Sequence, residues 1–182
     1  MKISAQSVIV AVAIACVSAC TQAADTMPKT PYELKAFLLC NFAIYTEWPK
    51  EAFASDNSPF VLGILGKDPF GKDIDVLKGK TIKGRPLVVK YYTDVDQISG
   101  CHLLFISSSE KKRLPEILKA VEHSSVLTVS EIDGFATQNG MIDIFMEETR
   151  PGFVRPGYRI NQAATEKAGI KIGSYVLKLA KT

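Results

Sequence analysis

The apolar residues of this chain gather in short runs set off by glycine, proline and charge. Phe60–Leu65 stands between Pro59 and Gly66, and a run that short, bounded by turn residues, predicts a strand buried on both faces. Runs at residues 86–92, 102–106 and 125–129 predict three more strands. Between them lie a short helix at residues 72–77, one helical turn at 94–98, and a helix carrying Leu114, Ile117, Leu118 and Val121, opened by Pro115. Upstream, Thr30-Pro31-Tyr32-Glu33 reads as a capping box, with Thr30 at the N-cap, Pro31 at the first helical position and Glu33 reaching back. That helix should run to about Tyr45 and end before Pro49. Its residues Leu34, Phe37, Leu38, Phe42, Ile44 and Tyr45 cover more than one stripe, so it should be packed on most sides.

Strands alternating with short helices indicate βαβ units. The expected fold class is therefore α/β: a three-layer arrangement with a mainly parallel, twisted sheet flanked by helices. The tail departs from that rhythm. Residues 141–146 and 153–160, separated by Pro151 and Gly152, predict an antiparallel hairpin at one edge of the sheet. Asn161 should cap a helix ending at Gly169, and residues 174–180 form a last amphipathic helix.

The first residues follow a different pattern. Lys2 supplies a positive start, residues 8–17 are almost wholly apolar, and Ser18, Ala19, Cys20, Thr21, Gln22, Ala23 and Ala24 close the run. This is a signal-peptide layout over residues 1–24, with an apolar stretch too short to span a bilayer. Cleavage near Ala23 or Ala24 is one reading; the other is lipidation of Cys20, because Val17-Ser18-Ala19-Cys20 resembles a lipobox. Removal of 24 of the 182 residues leaves 158, the size of one domain over residues 25–182. The net charge of +3 is mixed along the chain and points to neither nucleic acid nor a membrane surface.

Of four cysteines, Cys16 and Cys20 fall in the export segment, leaving Cys40 and Cys101 in a compartment where disulfides persist. Their pairing would stabilise the fold by roughly 4 kcal/mol. Equally, they are two buried thiols that never meet. Their spacing does not suit a zinc site.

Candidate chemistry is sparse. Gly66-Lys67-Asp68-Pro69-Phe70-Gly71-Lys72-Asp73 fits the start of a phosphate-binding loop but lacks the closing Ser or Thr, and Asp68 and Pro69 work against an anion. Its glycines read as turn residues. The two histidines, His102 and His123, have structural roles to fill in a strand and at a helix end. Ser107, Ser108 and Ser109 lie beyond a strand end without a nucleophile-elbow sequence, so helix capping is their stronger reading. Asp143, Glu147 and Glu148 on an edge strand discourage strand pairing more than they suggest a carboxylate dyad. No catalytic, cofactor-binding or metal-binding set emerges. Two aromatics remain as candidate partner contacts: Trp48, which otherwise closes the core, and Phe135, which the neighbouring Gly134 and Gly140 could hold out on a loop or which packs back.

Several landmarks occur together and in order: Phe37-Leu38-Leu39-Cys40-Asn41-Phe42 closing on Glu47-Trp48-Pro49, then the run from Leu62 through Gly66 to Gly71. Cys101 follows, leading to Ser107-Ser108-Ser109-Glu110, then Gly134-Phe135 with Gly140-Met141-Ile142, and Arg159-Ile160-Asn161 before Gly169-Ile170-Lys171-Ile172 and Leu177-Lys178-Leu179-Ala180. In this order the chain resembles the YfiR family of bacterial periplasmic proteins. The resemblance implies a non-enzymatic periplasmic regulator that binds and restrains an inner-membrane signalling protein, a diguanylate cyclase, and so controls cyclic di-GMP and biofilm formation. It also implies relief by an outer-membrane lipoprotein, homodimer formation and stabilising disulfides. This chain departs from the pattern at Tyr158-Arg159-Ile160-Asn161, where Phe-Glu-Ile-Asn is usual, and at Asn139-Gly140, where Gly-Gly is usual. With two mature cysteines it cannot form two disulfides. The alternative is a periplasmic small-ligand sensor feeding a sensor kinase or transporter, bound at the crevice beyond the strand C-terminal ends.

Overall fold

A computed structural model describes residues 30–151 and 153–181. The expected export segment and Cys20 lie outside the described residues.

The first helix, α1 (Pro31–Ile44), starts as its capping sequence predicts: the Thr30 hydroxyl oxygen accepts the Glu33 amide at 3.0 Å. The same hydroxyl donates to the Asp73 carboxylate at 2.6 Å, tying the helix start to the 3₁₀ turn Gly71–Leu77. As expected, α1 is packed on most sides, burying Ala36, Leu39, Cys40, Phe42 and Ala43.

The remaining elements are β1 (Thr46–Glu47), β2 (Phe60–Leu65), β3 (Thr81–Ile82), β4 (Arg85–Tyr92), β5 (Leu103–Ile106), α2 (Leu114–Val121) and β6 (Leu127–Ser130). They continue through β7 (Ile142–Arg150), β8 (Phe153–Ile160), α3 (Gln162–Lys167), β9 (Lys171–Ile172) and α4 (Ser174–Leu179). The main sheet has the order β3-β4-β2-β5-β6-β7-β8. Its centre, β4-β2-β5-β6-β7, is parallel; the outer pairs β3/β4 and β7/β8 are antiparallel. The fold is thus the expected α/β type with a C-terminal hairpin at one edge.

Side-chain alternation makes two cores, one on each face of the sheet. Phe60, Leu62, Ile64, Leu103, Phe105, Leu127 and Val129 point to the face covered by α1 and α4. Val61, Leu65, Leu104 and Ile106 point to the face covered by α2 and the loop carrying Ile132 and Phe135. Both faces of β2 and β5 are therefore buried, which is why these strands read as unbroken apolar runs. A two-residue ladder, Thr46↔Ile172 and Glu47↔Lys171, joins β1 to β9 and was not expected, since two residues carry no periodicity.

The two edges of the sheet are finished differently. On β8 the even-numbered residues face outward: Tyr158 C=O accepts the Lys181 amide at 2.8 Å, and Pro156, two residues before, has no N–H to offer. On β4 the odd-numbered residues face outward, because Tyr92 C=O is turned to the β2 side, accepting from Gly66 N–H at 2.9 Å, and Leu87 N–H donates to Lys80 at 3.0 Å on the other side. The cover there ends early, since β3 pairs only with Arg85 and Pro86.

Candidate functional site

Parallel α/β sheets bind ligands beyond the C-terminal ends of their strands. Here that end is occupied by the protein's own polar groups. After β2, the Asp68 carboxylate accepts the Phe70 amide at 2.8 Å and the Gly71 amide at 3.1 Å, and Lys67 N–H donates to Ser109 Oγ at 2.9 Å. Amides that a phosphate-binding loop would aim at an anion are thus taken up internally. Gly66 and Gly71 sit at φ +89° and +52°, so they are turn glycines, as the sequence suggested.

Beside this loop, Glu131 collects three donors. Tyr32 OH and Ser108 Oγ each donate to one carboxylate oxygen at 3.4 Å, and the Lys35 ammonium pairs with the other. Lys35 is only 7% exposed and also lies over the Tyr32 ring, 4.3 Å from its centroid. Burial, and then the Glu131 charge, push the Tyr32 hydroxyl above its usual pKa. Ser107 Oγ caps the 3₁₀ turn Ser108–Arg113 by accepting the Ser109 amide at 3.4 Å, and Ser109 Oγ donates to Glu110 at 3.1 Å. The serines act as caps and braces.

At the opposite end of the sheet, His102 is buried between Phe53 and Phe60, with ring centroids 4.4 and 5.2 Å away. Its Nδ1 accepts the Val61 amide at 3.0 Å, so Nε2 carries the proton and donates to Ala52 C=O at 3.1 Å. Burial above all holds its pKa below the usual value, and the nearby Arg85 adds to this. Trp48 belongs to the same cluster: its indole N–H donates to His102 C=O at 3.2 Å and its ring meets Phe60 edge-on at 5.1 Å. These contacts are those of core closure, the alternative the sequence set beside a partner anchor.

For Phe135 and for the pair Cys40 and Cys101, the packing departs from the partner-contact and disulfide readings and follows the alternative set beside each. Phe135 is 0% exposed and belongs to the core beneath α2, so it presents no ring to a partner. Gly140 exists for that packing: a Cβ there would lie 2.2 Å from the Phe135 ring. The Cys40–Cys101 disulfide is absent. Cys40 packs in the core under α1 and Cys101 in the core on the other face, with the sheet between them, and both thiols are free. Burial pushes the Cys101 thiol up to about 12, and its sulfur contacts Leu103 C=O at 3.2 Å.

One concavity is not visible in the sequence. A groove of about 620 Å³ runs between α2 and α3. Leu114, Leu118, Met141 and Ala164 form its apolar lining, Thr128 and Asn161 add polar groups, and the Lys167–Glu122 ion pair flanks it. Leu118, part of the apolar spacing of α2, is only half-buried because it faces this groove.

The family model for YfiR/HmsC-like proteins matches residues 32–181. The chain belongs to this family. No curated protein matches it.

The departures of this YfiR/HmsC-like chain from the family pattern have local structural sense. Tyr158 packs edge-on against Phe42 at 4.9 Å and donates its hydroxyl to Val176 C=O at 2.9 Å. Arg159 pairs across the hairpin with buried Asp143 at 3.3 Å and lies over the Phe145 ring at 4.5 Å. Burial raises the Asp143 pKa, Arg159 opposes that rise, and a glutamate at 159 would add to it. Glu147 pairs across the hairpin with Arg155 at 2.8 Å and with Lys181 at 3.4 Å. Asn161 caps α3, accepting the Ala164 amide at 3.1 Å, and donates to Ala136 C=O at 3.0 Å. Among the described residues, no cluster of His, Cys, Asp or Glu is placed to hold a metal, and no helix is long and apolar enough to cross a membrane.

Proposed function

We propose that this protein is a non-enzymatic periplasmic regulator that binds and restrains an inner-membrane diguanylate cyclase, lowering cyclic di-GMP and biofilm formation. The observation that carries the reading is family membership across nearly the whole chain after the export segment. The strand ends support it: their loop amides, serines and Glu131 are engaged with one another. The export segment at residues 1–24 delivers the domain outside the cytoplasm, either free or tethered through Cys20. An outer-membrane lipoprotein partner relieves the restraint. The test is deletion of the gene: cyclic di-GMP should rise and return on complementation, and unchanged levels across several envelope stresses would count against the reading. The mass of the mature N-terminus separates cleavage near Ala24 from lipidation at Cys20.

The groove between α2 and α3 favours a second reading, a small-ligand sensor, because its volume suits a small molecule. A metabolite that raises the melting temperature of the wild type but not of an Ala164→Leu variant would support this reading.

A further inference from the structure

Among the described residues, most of β4 has no neighbour on its outer side. Its even-numbered residues bond to β2, and alternation in a parallel ladder turns the N–H and C=O of Val89 and Tyr91 the other way. β3 stops opposite Pro86, so these two residues meet no strand. The flanking side chains are also uncovered: Tyr91 is 54% exposed, Val88 36%, and Lys90 stands between them in solvent. No proline or bulge protects this stretch, whereas β8 at the other edge has both Pro156 and the Lys181 contact. An unpaired, partly apolar edge is a template for strand addition.

We propose that this edge of β4 docks an extended, acidic segment of a partner protein, which joins the main sheet as an added strand. The proposal rests on the binding role proposed above and names its surface. Charge selects the occupant. Lys80 and Lys90 are exposed along or beside the edge. The two carboxylates that raise the Tyr91 hydroxyl's pKa are already engaged: Asp75 pairs with Lys78 at 2.9 Å, and Asp68 holds the loop amides. A second copy of this chain fits less well, because an antiparallel register using Val89 and Tyr91 of both copies sets Lys90 opposite Lys90, and like charges directly opposed are destabilising.

The probe is a synthetic ten-residue peptide alternating Glu with Val or Thr, labelled for fluorescence anisotropy, with a Lys-for-Glu peptide as control. The acidic peptide should bind, weakening on the order of tenfold between low and high salt. Tyr91→Pro should weaken it at least about tenfold, since proline removes only the outward N–H and leaves the β2 ladder intact. Lys90→Glu, on an exposed side chain, should weaken it with an unchanged melting temperature. No binding of the acidic peptide, equal binding of the control, or undiminished binding by both variants would overturn the proposal. A wild-type dimer in sedimentation that Tyr91→Pro abolishes would overturn it in favour of self-pairing.

Cells separate this inference from the functional reading. If deletion raises cyclic di-GMP and a stably folded Tyr91→Pro allele restores full restraint, the edge is wrong and the regulator stands. If the peptide results hold while deletion leaves cyclic di-GMP unchanged, the edge stands and the cyclase reading falls.

Discussion

His102 accepts one backbone amide and donates to one backbone carbonyl, so it must be neutral in the folded protein. Protonation would set an N–H against the Val61 N–H. Because its folded pKa lies below the ordinary value of 6.5, its contribution to stability is complete above about that pH and is lost as pH falls through the lower folded value. Thermal melts from pH 7.5 downward should show this loss, and His102→Gln, which keeps one donor and one acceptor, should lack that component. Phe135 offers a second test. A ring with no exposed surface should cost about 3–5 kcal/mol on truncation in Phe135→Ala, and Gly140→Ala about 1–3 kcal/mol, because the added methyl meets that ring. Urea unfolding measures both; a ring held out for a partner would leave stability nearly unchanged. The glycines around Phe135 were readable in the sequence, but whether Gly140 exposes a ring or makes room for one depends on which way the loop folds, and only the packing decides that.

The capped start of α1 was legible because its chemistry is local. Thr30→Ala should cost about 0.5–2 kcal/mol in thermal or urea unfolding, through the lost cap to Glu33, and should also loosen the turn at Asp73, whose carboxylate accepts from the same hydroxyl. β2 and β5 were legible for a different reason: residues buried on both faces leave an apolar run between turn residues. The hairpin of β7 and β8 announced itself through Pro151 and Gly152. What stayed hidden were the elements made by distant contact. Thr46 and Ile172 meet through folding rather than pattern, and the groove between α2 and α3 comes from the distance between two helices, which neither helix's own sequence specifies.

The sheet divides the molecule into two cores that share strands but no covalent link. Stability should therefore be indifferent to reductant: in the chain from residue 25 onward, dithiothreitol should leave the melting temperature unchanged. A thiol reagent should titrate Cys40 and Cys101 in denaturant and neither in the native state, since both are buried and burial raises both thiol pKa values. Any redox response in this chain would have to act elsewhere than on a Cys40–Cys101 bond. The contrast between the two edges also sets how many molecules can assemble on this sheet. β8 is terminated by Pro156 and Lys181, so addition proceeds from β4 alone. A sheet with one live edge has a valence of one: it can form a capped one-to-one complex, but it cannot propagate into a filament.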